Sequence, residues 1–438
     1  MRGVRLSRWS MSYFAVAVVS LLLAEVLWAS GLPSPLHDIG EPWVLAGVHL
    51  TTIGFLTLLM LGALHQFVPV LTETELASQS WSGVTLIAVT AGLAGMVAGF
   101  LALPGGTLPS MAWLLPVGGS WVVLGVVAAV INLGVTLKRA WPWALPAWLV
   151  ATGLAYLLLT VLAGLLLALS LVVPGLFSGH QLSVMGGRGL AAHVLGGVGG
   201  WLTLTAMGVS YKLLAMFTLS DEHRGVAGWT AYVATAIGIS AAWLARWMGL
   251  NRVAEIAWVL ILSGLALYLW DMRALYRSRK RRQLELNARY GAIPLGFLGV
   301  LIAAGAAVRF AGGLGHLDLA LIFLALYGWL GGLALTQLYK IVPFLTWLNQ
   351  FGNQMGQGRV PRVQELVDES RDRFGYLGYF SAVLMASVSL AAGWGTGFRL
   401  AEALSALATV DIARALYQAA HPLPNPSPSG APQPRGTH

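Results

Sequence analysis

HLTTIGFLTLLMLGALHQFVPVL, residues 49–71, returns twice along the chain, as LGGVGGWLTLTAMGVSYKLLAMF at 195–217 and as FLALYGWLGGLALTQLYKIVPFL at 323–345. Aligned without gaps, the copies bring Gly54, Gly200 and Gly328 into one column, each followed by an aromatic, Phe55, Trp201 or Trp329. Further on, His65 coincides with Tyr211 and Tyr339, Gln66 with Lys212 and Lys340, and Pro69 with Ala215 and Pro343. Glycines alone prove little, because small residues recur wherever apolar helices pack closely. The aligned polar endings, His or Tyr followed by Gln or Lys, are much harder to obtain by chance and mark a genuine internal repeat.

The surroundings of each copy set its environment. Of the 438 residues, 57% are hydrophobic and only 10% charged, against about a quarter charged in a soluble domain. Such a chain cannot cover a water-facing surface, so lipid is its solvent. From Met11 to Gly31 the single charged residue is Glu25; 81–103 and 144–174 contain none. Each run is long enough to cross a hydrocarbon core of roughly 30 Å. The first follows Arg2, Arg5 and Arg8 but is too long for a signal-peptide core, and reads as a retained helix.

Apolar runs between polar breaks give about twelve spans: 11–31, 43–70, 81–103, 111–137, 145–173, 188–219, 226–245, 253–272, 291–310, 317–348, 374–394 and 398–418. The copies are the second, sixth and tenth. The expected fold is therefore an all-α membrane protein with one transmembrane domain over 1–421, built of four-helix units at about 11–137, 145–272 and 291–418. A short surface helix is expected around 363–372. The Pro-, Ser- and Gly-rich tail 422–438 is expected to be disordered.

Charge sets the direction. With both termini cytoplasmic, 21 of the 26 Lys and Arg fall on inner segments and helix ends; Arg188, Arg246, Arg252, Arg309 and Arg399 remain outside. This bias points to a bacterial inner-membrane or plasma-membrane type of protein. It also accounts for the net charge of +9 without nucleic acid. The inner proline positions predict that the second and tenth helices end or kink there. Cysteine is absent, which excludes thiolate-held clusters, thiolate-ligated haem and disulfides. No phosphate loop, nucleophile triad or HExxH motif supports hydrolysis.

Twelve helices in three pseudo-symmetric four-helix arcs, with His on the second helix, resemble subunit I, the catalytic subunit of haem–copper oxidases. Residues 49–71 carry the local likeness. The family's second helix holds a haem-ligand His in its outer part and then a Gly–x–x–Asn–aromatic–x–x–Pro-like ending. Gly62, His65 and Pro69 fit that spacing, with His65 in place of the Asn and Gln66 in place of the aromatic. His49 lies near the level of the family's ligand. The departures are substantial: the tenth span has no His, and neither the paired His expected for copper nor a His-Pro-Glu segment occurs. The resemblance thus implies a diverged relative that keeps the scaffold and one haem, as do some membrane proteins linked to nitric oxide metabolism. It argues against an oxygen-reducing haem–copper centre and leaves copper, and with it an oxidoreductase activity, open.

Among nine His residues, those inside spans are functional candidates by default. His49 and His193 stand at nearly one depth on different helices and could clamp a haem b iron from opposite faces. The alternatives are ligation by His49 alone, or structural hydrogen bonds. For His65, matched by two tyrosines, a packing role is favoured over a second metal or proton transfer. His316, just before the tenth span, is a candidate replacement ligand or simply a solvated residue. Arg309 or Arg188 could pair with haem propionates or snorkel. Glu25 has three open roles: pairing with a His, carrying protons, or resting neutral in a helix contact. Asp411 and Arg414 read as an (i, i+3) ion pair, and Asp318 and Glu402 as residues near outer ends.

The resulting expectation is a haem-binding membrane protein in electron transfer, or in binding or sensing a small gas such as nitric oxide or oxygen, with a redox partner or a second copy as possible companions. The competing classes are a solute or ion transporter and a cofactor-free partner subunit of a membrane complex.

Overall fold

The protein is seen in a computed structural model that describes residues 8–36, 38–108, 110–221, 225–311, 315–354 and 360–422. Among these residues there is no strand, and twelve long helices follow one another: α1 Ser10–Ser30, α2 Pro42–Thr72, α3 Gln79–Leu101, α4 Leu114–Lys138, α5 Leu145–Val172, α6 Gly179–Thr218, α7 Val226–Met248, α8 Asn251–Arg277, α9 Leu286–Val308, α10 His316–Phe351, α11 Glu369–Ala391 and α12 Gly395–Ala420. The first eleven are long and apolar enough to cross a membrane. Helix α12 has the length but carries Arg399, Glu402, Asp411 and Arg414. The chain is an all-helical integral membrane protein.

Large apolar side chains face outward, among them Ile87, Leu124, Trp270 and Leu407. In water this surface would aggregate; against lipid tails it is the favoured exterior. Buried residues make up 67% of the apolar window in α2 and 72% in α10, against 22% in α5. The repeated helices therefore form the centre, and α5 lies at the periphery.

Each repeated helix widens into a π-helical segment at the same place: Leu50–Thr57 in α2, Leu195–Thr203 in α6 and Leu324–Gly331 in α10. These segments contain the aligned Gly54, Gly200 and Gly328. A Cβ on Gly54 would lie 2.6 Å from Ser20 of α1, on Gly200 2.2 Å from Tyr156 of α5, and on Gly328 3.0 Å from Phe297 of α9. In every unit the second helix thus uses its glycine to press against the first. The third and fourth helices of every unit pair closely through small residues, Gly92 with Gly118 and Gly238 with Ile261 among them.

The units are joined through their second helices. Trp201 Nε1 donates to Thr57 Oγ1 at 2.9 Å, linking α6 to α2. Phe55 of α2 lies against Gly331 of α10, which occupies the column of Thr57. Trp28 Nε1 and Thr51 Oγ1 meet the Tyr327 hydroxyl at 2.9 and 2.7 Å, tying α1 and α2 to α10.

One expectation is corrected. The surface helix at 363–372 is a single 3-10 turn, Val363–Leu366, after which α11 begins at Glu369. The Asp368 side chain decides that start by accepting from the Ser370 and Arg371 amides. Pro69 lies three residues before the end of its helix at Thr72, and Pro343 lies within α10, which runs on to Phe351. Glu402, expected near a helix end, lies seven residues into α12 and is fully buried. The tail from 423 onward, and the Arg309 side chain with its proposed propionate role, lie outside the described residues.

Candidate functional site

His49 lies seven residues into α2, about 10 Å along its axis. His193 lies well inside α6, which starts earlier than the expected span, at Gly179. The structure brings the two rings together, with centroids 6.4 Å apart and planes 24° from parallel. Each ring is anchored by a backbone carbonyl. His49 Nδ1 donates to the Leu45 carbonyl at 2.7 Å, and His193 Nδ1 donates to the Thr160 carbonyl of α5 at 3.0 Å. A carbonyl oxygen can only accept, so Nδ1 carries the proton in both rings. The lone pair is left on Nε2, the arrangement found in metal-binding histidines oriented by a backbone carbonyl.

Small residues shape the space around the pair. A Cβ on Gly164 of α5 would stand 2.9 Å from His193 Cε1, so glycine there lets the imidazole lie against the helix. Phe100 of α3 packs on His49 at 4.7 Å between centroids.

The other candidates go elsewhere. His65 is fully buried; its Nδ1 donates to Leu61 O at 2.7 Å, its ring lies 5.5 Å from Tyr13, and Nε2 has no partner. The ring thus packs between its own helix and Tyr13 of α1. His316 lines a cavity of about 420 Å³ between the ends of α1, α10 and α12, together with Gly31, Phe398 and Arg399. No described contact joins it to the His49–His193 pair. Arg188 places its guanidinium beside Gly249. Among the described residues no three His, Asp or Glu cluster as a metal site, so any metal here depends on two side chains plus a ligand that brings its own donors.

Sequence reading passed over a second polar centre. Glu25 Oε1 accepts from Ser405 at 2.7 Å and Thr409 at 2.9 Å on α12. Glu402, Ser405 and Thr409 share one helix face at i, i+3 and i+7, a polar stripe in an apolar helix that carries the signal for this contact. Asp411 and Arg414 do form the expected (i, i+3) pair at 2.9 Å, and Arg414 also reaches Asp372 of α11 at 3.2 Å. No known family model and no curated protein matches the sequence, so its activity is argued from these two centres.

Proposed function

We propose that the protein binds one haem b between His49 and His193 and passes electrons through it, on a scaffold of the haem–copper oxidase subunit I type. The spacing of the rings carries this reading. An iron held end-on by two imidazoles needs their centroids roughly 6–6.5 Å apart, from two metal–nitrogen bonds of about 2 Å plus half a ring on each side. The observed 6.4 Å matches that demand, and the fixed Nδ1 protons leave Nε2 of each ring to ligate. A direct hydrogen bond between the rings is not available to explain the approach, since each ring already commits its proton to a carbonyl.

Bound haem would supply a one-electron couple. His49 and His193 would both be committed to holding it, which would favour electron transfer over gas binding. The threefold recurrence of the π-segments supports the oxidase-like arcs, and the positive-inside count favours a pair toward the outer face with cytoplasmic termini. Repeats of transporters often invert, whereas these three copies run in one direction, which weighs against alternating access.

Full-length protein purified in detergent after haem supply should show a Soret band and about one haem per chain by pyridine haemochrome. His49→Ala and His193→Ala should each lower that content at least about tenfold while helical content stays unchanged. A folded, colourless wild-type protein, or variants that keep their haem, overturns the reading.

A further inference from the structure

We propose that Glu25 and Glu402 form a proton-binding pair inside the membrane, loaded from the cavity that ends at Phe398. This does not rest on the haem reading. Both side chains are 0% exposed. Glu25 uses one oxygen to accept from Ser405 and Thr409, while Glu25 Oε2 and both oxygens of Glu402 have no hydrogen-bond partner among the described residues. The two donors to Glu25, Ser405 and Thr409, lie three and seven residues after Glu402 on the same face of α12, so Glu25 packs against the face that carries Glu402. No Lys, Arg or His pairs with either among the described residues; the titratable groups facing them are Tyr327 from α10 and Tyr379 from α11. The Tyr327 hydroxyl is engaged by Trp28 and Thr51, and the Tyr379 hydroxyl donates to Tyr327 O at 2.9 Å.

Two neighbouring carboxylates without a cation cannot both be charged at this depth. One buried, unpaired ion is strongly disfavoured, and a second beside it adds repulsion. A proton relieves both, and the unpartnered oxygens are where it can sit and be shared. Loading forms one carboxyl O–H bond with a proton delivered by water; release breaks that bond.

Access is built into the same helices. Glu25 lies five residues before the end of α1 and Glu402 seven after the start of α12, about 7–10 Å below that end of the bundle. Above them is the 420 Å³ cavity lined by Gly31, His316, Phe398 and Arg399. The Phe398 ring is the barrier between, packed edge-on to Trp28 and to Phe323 at 6.1 and 5.6 Å. Trp28, one turn from Glu25, is bonded to the Tyr327 hydroxyl that faces the pair.

Infrared difference spectra of the full-length protein in phosphatidylcholine vesicles, recorded between about pH 5 and about pH 9, read this proton directly. The expected signal is a neutral-carboxyl C=O band that titrates and shifts down in D₂O. Glu402→Gln should lower its titrating amplitude at least twofold, and Glu75→Gln, at an exposed acid, should leave it unchanged. Phe398→Ala should speed its deuterium exchange about tenfold. Should Glu402→Gln fail to fold, Ser405→Ala reads the same group, because losing a donor to Glu25 must move the band. A band that neither titrates nor exchanges, or one indifferent to both Glu402→Gln and Ser405→Ala, overturns the proposal.

Discussion

Gly164 decides where the His193 imidazole can lie, since a Cβ at that position would be 2.9 Å from Cε1. A leucine there would push the ring away from α5 and break the Thr160 hydrogen bond without removing the ligand itself. Gly164→Leu should therefore reduce haem content several-fold while His193 stays in the sequence, and Gly134→Ala, in open space, should not. Equal haem in both variants would count against a ring position set by α5. The histidines themselves stood out in the sequence, because polar residues within apolar runs are few. Their convergence did not, because it depends on how α2 and α6 rotate about their axes, which packing against α3 and α5 determines. Glu402 was obscured for the same reason: three residues after Arg399, it reads as interfacial until α12 is seen packed on α1.

At the level of elements, each repeated helix does two jobs at one site, pressing its glycine onto the first helix of its unit and opening into a π-segment. The extra residue per turn leaves backbone carbonyls misaligned, which is tolerable only where neighbouring helices fill the widened turn. Gly200 is the tightest case, with Tyr156 Cγ 2.2 Å from a would-be Cβ. Gly200→Val should cost about 2–3 kcal/mol by overpacking, seen as a lower midpoint in detergent unfolding. Gly186→Val, where nothing lies within 4 Å, should leave the midpoint unchanged. The repeat was legible from the aligned columns. The π-segments were not, since no side-chain pattern distinguishes five residues per hydrogen-bonded turn from four.

Across the whole molecule, the end that carries the termini is clasped by charge. Glu285, in the loop before α9, pairs with Lys340 of α10 and Arg281, and accepts from Gln364 at 3.0 Å. Burial pushes its carboxyl up, but the hydrogen bonds from Lys340 and Gln364 and the charges of Lys340 and Arg281 outweigh that and hold it below the ordinary 4.5. A lowered folded-state value means that this contribution is complete above about pH 4.5 and is lost as pH falls through the folded value. Thermal stability should therefore drop on acidification below that point. Glu285→Gln should remove part of the drop and cost about 1–3 kcal/mol at pH 7. An unchanged acid profile in Glu285→Gln would place the acid sensitivity elsewhere. Rim charges such as Arg246 with Glu255, at 3.3 Å and partly exposed, should contribute little.

The amino-acid sequence alone determined the solvent, the helix count and the threefold recurrence, because those follow from apolar run length and from residue types repeated at fixed spacing. It also marked His49, His193 and Glu25 as polar groups that lipid would not accept without a reason. Which of them meet was decided only in three dimensions. Helix rotation and packing bring two imidazoles to 6.4 Å, leave His65 bonded to its own helix, and set the α12 face of Glu402, Ser405 and Thr409 against Glu25. Contacts between distant helices depend on how side chains interlock around a shared core, and a local pattern along one helix, such as the α12 polar stripe, shows which face seeks a partner but not which partner it meets.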